Sequence, residues 1–234
     1  RQSLRWPVPK SLIKRKLEKK KIESIKRRGK YLLLESSNEN LIIHLGMSGS
    51  LRIAKEENLN KHDHIDICFE DGTILRYCDP RRFGCFLWSK HIDTHFLLKN
   101  LGPEPLGNSF SGDYLFYKSR KRKVPIKNFI MNSKVVVGVG NIYASEALFA
   151  AGIRPSSIAG KVPRKKYDLL AKEIVQILRK SIEEGGTTLR DFIGGDNTPG
   201  YFKQSLRVYG REGKECYQCL SLIHISEPTR PNCI

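Results

Sequence analysis

The sequence predicts an α+β protein, an N-terminal antiparallel β-sandwich followed by a helical C-terminal domain, and three observations carry that prediction. Between Ile22 and Ser89, short apolar or alternating runs are cut by turn-forming clusters, the pattern of closely spaced antiparallel strands. Around Leu101-Gly-Pro-Glu-Pro-Leu106 the punctuation becomes that of a linker. Beyond it the period changes to that of a helix, most clearly from Pro163, a good first-turn residue. Tyr167, Leu170, Ala171, Ile174, Ile177, Leu178 and Ile182 fall on one face there, and Gly185-Gly186 ends the run.

In chain order, strands are expected at Tyr31–Glu35 and Leu41–Leu45, on either side of a polar turn, and at Ser50–Ala54 after the Gly46–Gly49 turn. His64–Glu70 alternates, with Ile65, Ile67 and Phe69 on one face, and Asp71-Gly72 predicts a two-residue hairpin into Thr73–Cys78. Val135–Val137 runs into Gly138 and Gly140, after which Asn141 is placed as the N-cap of a helix that stops at Gly152. A helix start with a row of backbone N–H groups suits an anion, although a tight turn before a core helix has the same pattern. A dinucleotide fingerprint is excluded, because Tyr143 stands where the third glycine would fall.

At 234 residues the chain can hold one large or two modest domains. Its 42 Lys+Arg against 24 Asp+Glu give a formal charge of +18, an excess that calls for an anionic partner, nucleic acid first and an anionic membrane surface second. No apolar stretch reaches the ~20 residues of a membrane span. Cys68, Cys78 and Cys85 sit in strand-like runs and read as buried reduced thiols, which fits a cytoplasmic protein.

Several side chains could carry chemistry. Lys30 opens a strand beside Arg27 and Arg28, and neighbouring cations with partial burial would lower its pKa; the alternative is a solvated basic edge. Met47, Arg81 and Phe83 lie in turn-like segments, where an apolar side chain is either buried or a wedge between bases. His62 and His64 have a metal-compatible spacing with no third ligand nearby, so metal is not expected there. Arg120-Lys-Arg-Lys123 with Lys127 forms a basic cluster ahead of the Gly-x-Gly-Asn turn, suited to phosphate. The loop 194–202 reads as a mobile lid, and Cys216-x-x-Cys219 is half of a four-cysteine zinc site.

The segment Val137-Gly-Val-Gly-Asn-Ile-Tyr-Ala-Ser-Glu146 resembles the helix–two-turn–helix signature of the formamidopyrimidine-DNA glycosylase family. Ordered echoes of that family include Leu4-Arg-Trp-Pro7, Gly29-Lys-Tyr-Leu-Leu-Leu34, His44-Leu-Gly-Met-Ser-Gly-Ser-Leu-Arg52 and Lys61-His-Asp-His64. Asp79-Pro-Arg-Arg-Phe-Gly84, Leu101-Gly-Pro-Glu-Pro-Leu106, Pro199-Gly-Tyr-Phe202 and Val208-Tyr-Gly-Arg-x-Gly213 continue the series.

The resemblance implies a base-excision repair glycosylase with abasic-site lyase activity, acting as a monomer on oxidised purines in damaged double-stranded DNA. It gives Lys30 a proton-transfer role in strand cleavage. Met47, Arg81 and Phe83 would fill the gap left by an extruded nucleotide, with the arginine on the orphaned base. His62, Lys123, Lys127 and Asn141 would hold the DNA, and Arg190 and Tyr201 would touch the lesion. The implied domains are 1–102 (β-sandwich, its first strand and helix missing), 103–210 (helix–two-turn–helix) and 211–234 (remnant of a zinc-finger hairpin).

Both ends depart from the family pattern. The family's nucleophile is an N-terminal proline followed by glutamate, whereas Arg1 aligns with an internal position, so the chain is expected to lack that nucleophile and to be inactive by itself. Residues 220–234 read as a sequencing-adapter translation, so Cys216 and Cys219 are expected to bind Zn²⁺ only weakly. The implied place of action is the bacterial cytoplasm, at the nucleoid. Two other readings are a sibling glycosylase for oxidised pyrimidines and a non-catalytic damaged-DNA-binding module. The split of Met47 from Arg81 and Phe83 over two loops favours the purine class.

Overall fold

A computed structural model of the chain describes residues 4–55, 58–186 and 202–223. It divides into two compact units, one running to Lys99 and the other comprising Asn100–Glu184 and the segment from Phe202.

The first unit opens with helix α1 (Lys10–Leu17) and continues through seven strands, β1 (Ser24–Arg28), β2 (Tyr31–Ser36), β3 (Glu39–His44), β4 (Ser50–Ala54), β5 (Asp63–Cys68), β6 (Ile74–Cys78) and β7 (Cys85–Ser89). They form two antiparallel sheets, of order β1-β2-β3-β7 and β4-β6-β5. Leu34, Leu41, Ile43 and Phe86 of the larger sheet share one core with Tyr77 of the smaller, and Leu51, Ile65, Ile67 and Leu75 pack against it. This is the expected β-sandwich. Each fully buried side chain of this size contributes about 1.5–3 kcal/mol of burial free energy. Central strand β3 is buried along Leu41-Ile42-Ile43, which is why it reads as an unbroken apolar run rather than an alternation. Ile13 and Leu17 dock α1 on this core.

Three local expectations are corrected. Asp71-Gly72 is not a two-residue hairpin turn: Gly72 N–H donates to Phe69 O at 3.1 Å and Phe69 N–H to Thr73 O at 2.8 Å. Only Gly72 has a positive φ, +80°, so the connection is a wider turn closed by a left-handed glycine. Phe69 consequently leaves the strand and is exposed. Of the three thiols, Cys85 alone is buried, with its pKa pushed up to about 11 by desolvation, while Cys78 is half-buried and Cys68 exposed.

The second unit holds α2 (Gly112–Ser119), α3 (Ile126–Met131), α4 (Asn141–Ala150) and α5 (Arg164–Glu183). Leu115, Ile126, Ile130, Ala144, Leu148, Tyr167, Leu170 and Ile174 meet in its core. Ser111 caps α2 by accepting the Tyr114 N–H at 3.1 Å. Pro163 precedes α5 as expected, but Ile182 is 66 % exposed. Ser181 takes the inward position, bonded to the Tyr143 hydroxyl at 2.7 Å, so the helix buries a polar pair where the apolar stripe predicted a hydrophobe.

Candidate nucleic-acid interface

In the β unit the candidate residues gather at one end of the larger sheet. Lys30 sits in the turn between β1 and β2, and lines a cleft of about 310 Å³ with Tyr31, His44, Gly46, Met47 and others. The residue as a whole is exposed, yet desolvation of its amine holds the pKa below the usual lysine value. Neighbouring cations, expected to share in that shift, are not its cause. His44 stands in the same cleft and accepts the Gly46 N–H on Nδ1 at 2.9 Å, which fixes the other ring nitrogen as the proton carrier when neutral. Burial first, then the charges of Lys30 and Arg5, lower its pKa and favour the neutral ring.

Met47 is 68 % and Phe83 44 % exposed, so both expected wedges stand in solvent. The Arg81 guanidinium lies 4.8 Å over the Phe83 ring. What holds these loops was not visible in the sequence: the carboxylate of Asp79, fully buried. Its Oδ1 accepts Ser48 Oγ at 3.0 Å and the Arg81 N–H at 3.3 Å. Its Oδ2 accepts the Tyr77 hydroxyl and the Gly84 N–H, each at 2.9 Å. The backbone of Asp79 also donates to His62 O at 3.0 Å and accepts from His64 Nε2 at 2.8 Å. One residue thus ties the Met47 loop, the Arg81–Phe83 loop and the turn bearing His62 together. Gly46 completes the join, since a Cβ there would lie 2.7 Å from the backbone of Phe83 and Gly84. His62 itself lies in the turn before β5 rather than on the strand. Among the described residues no three His, Cys, Asp or Glu side chains are grouped to hold a metal ion.

In the helical unit Asn141 is the first residue of α4 and Gly140 the N-cap, with no side-chain cap bond, a correction of one position. The first intrahelical bond runs from Ala144 N–H to Gly140 O at 2.9 Å, so the amides before it have no acceptor within the helix. Lys123 is exposed on the connection between α2 and α3. Lys127, by contrast, is only 3 % exposed on α3. Arg120 also leaves the basic cluster: its guanidinium donates to Phe116 O (3.1 Å), Ser119 Oγ (2.7 Å) and Val162 O (3.0 Å), and serves the fold.

Glu146 is a second residue the sequence did not single out. Buried on α4, it accepts the N–H groups of Arg207, Val208 and Tyr209 at 2.8–2.9 Å and so anchors the segment that follows Leu206. Beyond that segment Cys216 is buried with Phe149 and Ile223, whereas Cys219 is exposed with its Sγ 2.9 Å from Ser221 Oγ. Two thiols so differently placed supply half of a tetrahedral set, and the described residues do not fit a structural zinc. Arg190 and Tyr201 lie outside the described residues.

Fold and sites together place the chain in the class of two-part proteins that join a β-sandwich to a helix–two-turn–helix domain. The Formamidopyrimidine-DNA glycosylase N-terminal domain matches residues 1–86, and the Formamidopyrimidine-DNA glycosylase H2TH domain matches residues 101–193. A Formamidopyrimidine-DNA glycosylase of Saccharophagus degradans is 57% identical over 220 residues, covering 93% of this chain and 81% of that protein. Its counterpart in Stutzerimonas stutzeri is 56% identical over 221 residues, covering 94% and 82%. Among solved structures, a Lactococcus lactis FPG mutant in complex with a Fapy-dG containing DNA superposes with TM-score 0.85 at 34% identity, covering 92% of this chain and 80% of that one. The chain belongs to the formamidopyrimidine-DNA glycosylase family. No helix among the described residues is long and apolar enough to cross a membrane.

Proposed function

We propose that the chain serves as a base-excision repair DNA glycosylase and abasic-site lyase, removing oxidised purines from damaged duplex DNA in the bacterial cytoplasm. The observation that carries this reading is the junction at Asp79, which holds Met47 in one cleft with Lys30 and fixes Arg81 and Phe83 beside it. An enzyme that extrudes a nucleotide must fill the gap it leaves, and two rigid loops with exposed apolar tips and a guanidinium suit that task. Lys30, with its amine desolvated, can exchange a proton at lower pH than an ordinary lysine, as the strand-cleavage steps require. His62 and Arg81 in the β unit, and Lys123 and Asn141 in the helical unit, hold the DNA by its backbone and orphaned base. Lys127 is not part of this interface, and Arg190 and Tyr201 are the proposed contacts to the lesion. The family's structural zinc would need ligands beyond Cys216 and Cys219. The placing of wedges on two loops favours purine over pyrimidine lesions. A complex with carbocyclic 8-oxo-G containing DNA, formed by a structural neighbour, supports the same choice.

The test is cleavage of duplexes carrying 8-oxoguanine, a formamidopyrimidine, an oxidised pyrimidine or no damage. The protein is assayed as it stands and with the N-terminal segment of the Saccharophagus degradans relative placed ahead of Arg1. Nicking at the purine lesions by the extended protein, lost in Lys30→Ala with duplex binding kept, is the expected result. Binding of damaged duplex with no nicking by either form would instead identify a non-catalytic damage-binding module, and a preference for the pyrimidine lesion would identify the sibling class.

A further inference from the structure

A dense cluster of positive charge lies away from the Lys30 cleft. Between Lys10 and Lys21 the chain has seven Lys or Arg and one Glu. Lys16 is paired with Glu39 at 2.7 Å and Lys26 with Glu35 at 2.8 Å. Lys10, Lys14, Arg15, Lys19, Lys20 and Lys21 are exposed, and none of them forms an ion pair among the described residues. Strand register fixes where this cluster lies. One end of the larger sheet is marked by Arg28, Tyr31, His44 and Cys85, the other by Ser24, Ser36, Glu39 and Ser89. Lys30 and Met47 lie just past the first end. Lys16 reaches Glu39 at the second, and the run Lys19–Lys21 enters there, where Glu23 N–H bonds Glu35 O at 2.9 Å. At about 3.3 Å per residue, a six-residue strand separates the two ends by ~20 Å.

The fold accounts for only part of the cluster: in α1 the last-turn Lys14, Arg15 and Lys16 favour the helix dipole. No residue of α1 is buried, its first turn has no acid, and Lys10 and Lys14 repel each other one turn apart. Lys14, Arg15 and Lys19 line an open groove of about 620 Å³ with Ser11 and Glu18. The lining chemistry narrows the partner. Lysine ammonium groups act as point charges suited to a phosphate backbone rather than to base edges. From Lys10 to Lys30 there is no aromatic side chain on which an unpaired base could stack, which disfavours single strands. Ile13 and Leu17 of α1 are turned to the protein core, which leaves no broad apolar face to enter a lipid surface.

We propose that this lysine-rich end of the β unit is a second, sequence-independent binding surface for duplex DNA, one that engages a neighbouring segment while the Lys30 cleft is occupied. It rests on the DNA reading above and adds to it a means of passing between segments without full release. A protein with one DNA surface leaves a duplex at a rate independent of free DNA, whereas one with two is displaced faster as free duplex is added.

The experiment uses the full chain bound to a short labelled duplex with an uncleavable abasic-site analogue, challenged with rising concentrations of unlabelled, undamaged duplex. The dissociation rate is expected to rise several-fold across the series. In the combined variant Lys14→Gln, Lys19→Gln, Lys20→Gln and Lys21→Gln it is expected to be flat, with affinity for the labelled duplex kept within about twofold at low salt. A flat series for the unaltered chain, or a rising one for the variant, overturns the proposal and leaves the glycosylase reading intact. Binding to phosphatidylserine vesicles that the variant loses, alongside a flat DNA series, overturns it in favour of a membrane surface. A chain that binds no damaged duplex at all refutes the functional reading and this proposal with it.

Discussion

Replacing Asp79 by alanine removes the acceptor of four hydrogen bonds at a position closed to water. Two of the donors, the Tyr77 hydroxyl and the Gly84 amide at 2.9 Å, are themselves buried, and the Tyr77 hydroxyl would be left with the Leu45 carbonyl at 3.5 Å. A bond to an ionised acceptor contributes about 1.5–3 kcal/mol and a stranded buried donor costs about 1–3 kcal/mol; because these overlap, the whole substitution should cost about 3–5 kcal/mol. Asp79→Asn is gentler. Its carbonyl oxygen can stay on Tyr77 and Gly84 while its amide turns to Ser48, whose hydroxyl can accept, and only the long Arg81 N–H bond is lost, so about 1–2 kcal/mol is expected. Ser48→Ala should cost about 1 kcal/mol alone and almost nothing further in the Asp79→Ala background, because its partner is already gone. Denaturant unfolding of the unaltered chain and the four variants gives these numbers. Fluorescence of 2-aminopurine beside a lesion reports whether the loops still enter the stack, and Asp79→Ala should abolish that signal at temperatures where the protein remains folded. A cost below about 1 kcal/mol for Asp79→Ala, or full additivity with Ser48→Ala, would refute the junction described above.

Three further outcomes are expected. Lys123→Ala should lower the slope of log affinity against log salt by about one, as for one lost phosphate contact, whereas Lys127→Gln should leave the slope unchanged and lower stability; equal slopes for both would remove Lys123 from the interface. Glu146→Gln should expose the amides of Arg207, Val208 and Tyr209 to hydrogen exchange while α5 stays protected, and unchanged protection there would show the anchor to be elsewhere. Because the folded-state pKa of His44 is lowered, its contribution to stability is complete above about pH 6.5 and is lost as pH falls from there through the lower folded value. The stability difference between pH 7.5 and 5.5 should therefore be smaller in His44→Gln than in the unaltered chain, and an equal difference would contradict the buried neutral ring.

How much of this was legible beforehand depended on how local each signal is. The strands and helices could be read because period and turn chemistry act over a few residues, and Ser50–Ala54 or the start at Pro163 needed nothing more. Asp79 could not be read as a junction. Its donors come from residues 48, 77, 81 and 84, and only the pairing of two sheets brings them to one carboxylate. Lys127 looked like a surface cation because a basic run says nothing of which member turns inward. The Asp71-Gly72 dipeptide permits more than one closure, and the strand ends, which pair Phe69 with Thr73, decide between them. Ile182 and Ser181 changed places for a similar reason: the stripe fixes a face, but a neighbouring Tyr143 hydroxyl decides what the last turn buries.

Met47 and Phe83 stand in water because rigid backbone, not packing, holds their loops out. Such points would bring two copies of the chain together as readily as they would enter a base stack. The formal charge of +18 gives the complementary safeguard, since like-charged copies repel before their apolar tips can meet, while DNA is drawn in. Solubility and function then depend on the same imbalance. Charge-neutralising changes made far from the cleft should show first as self-association at low DNA concentration, before any loss of lesion chemistry.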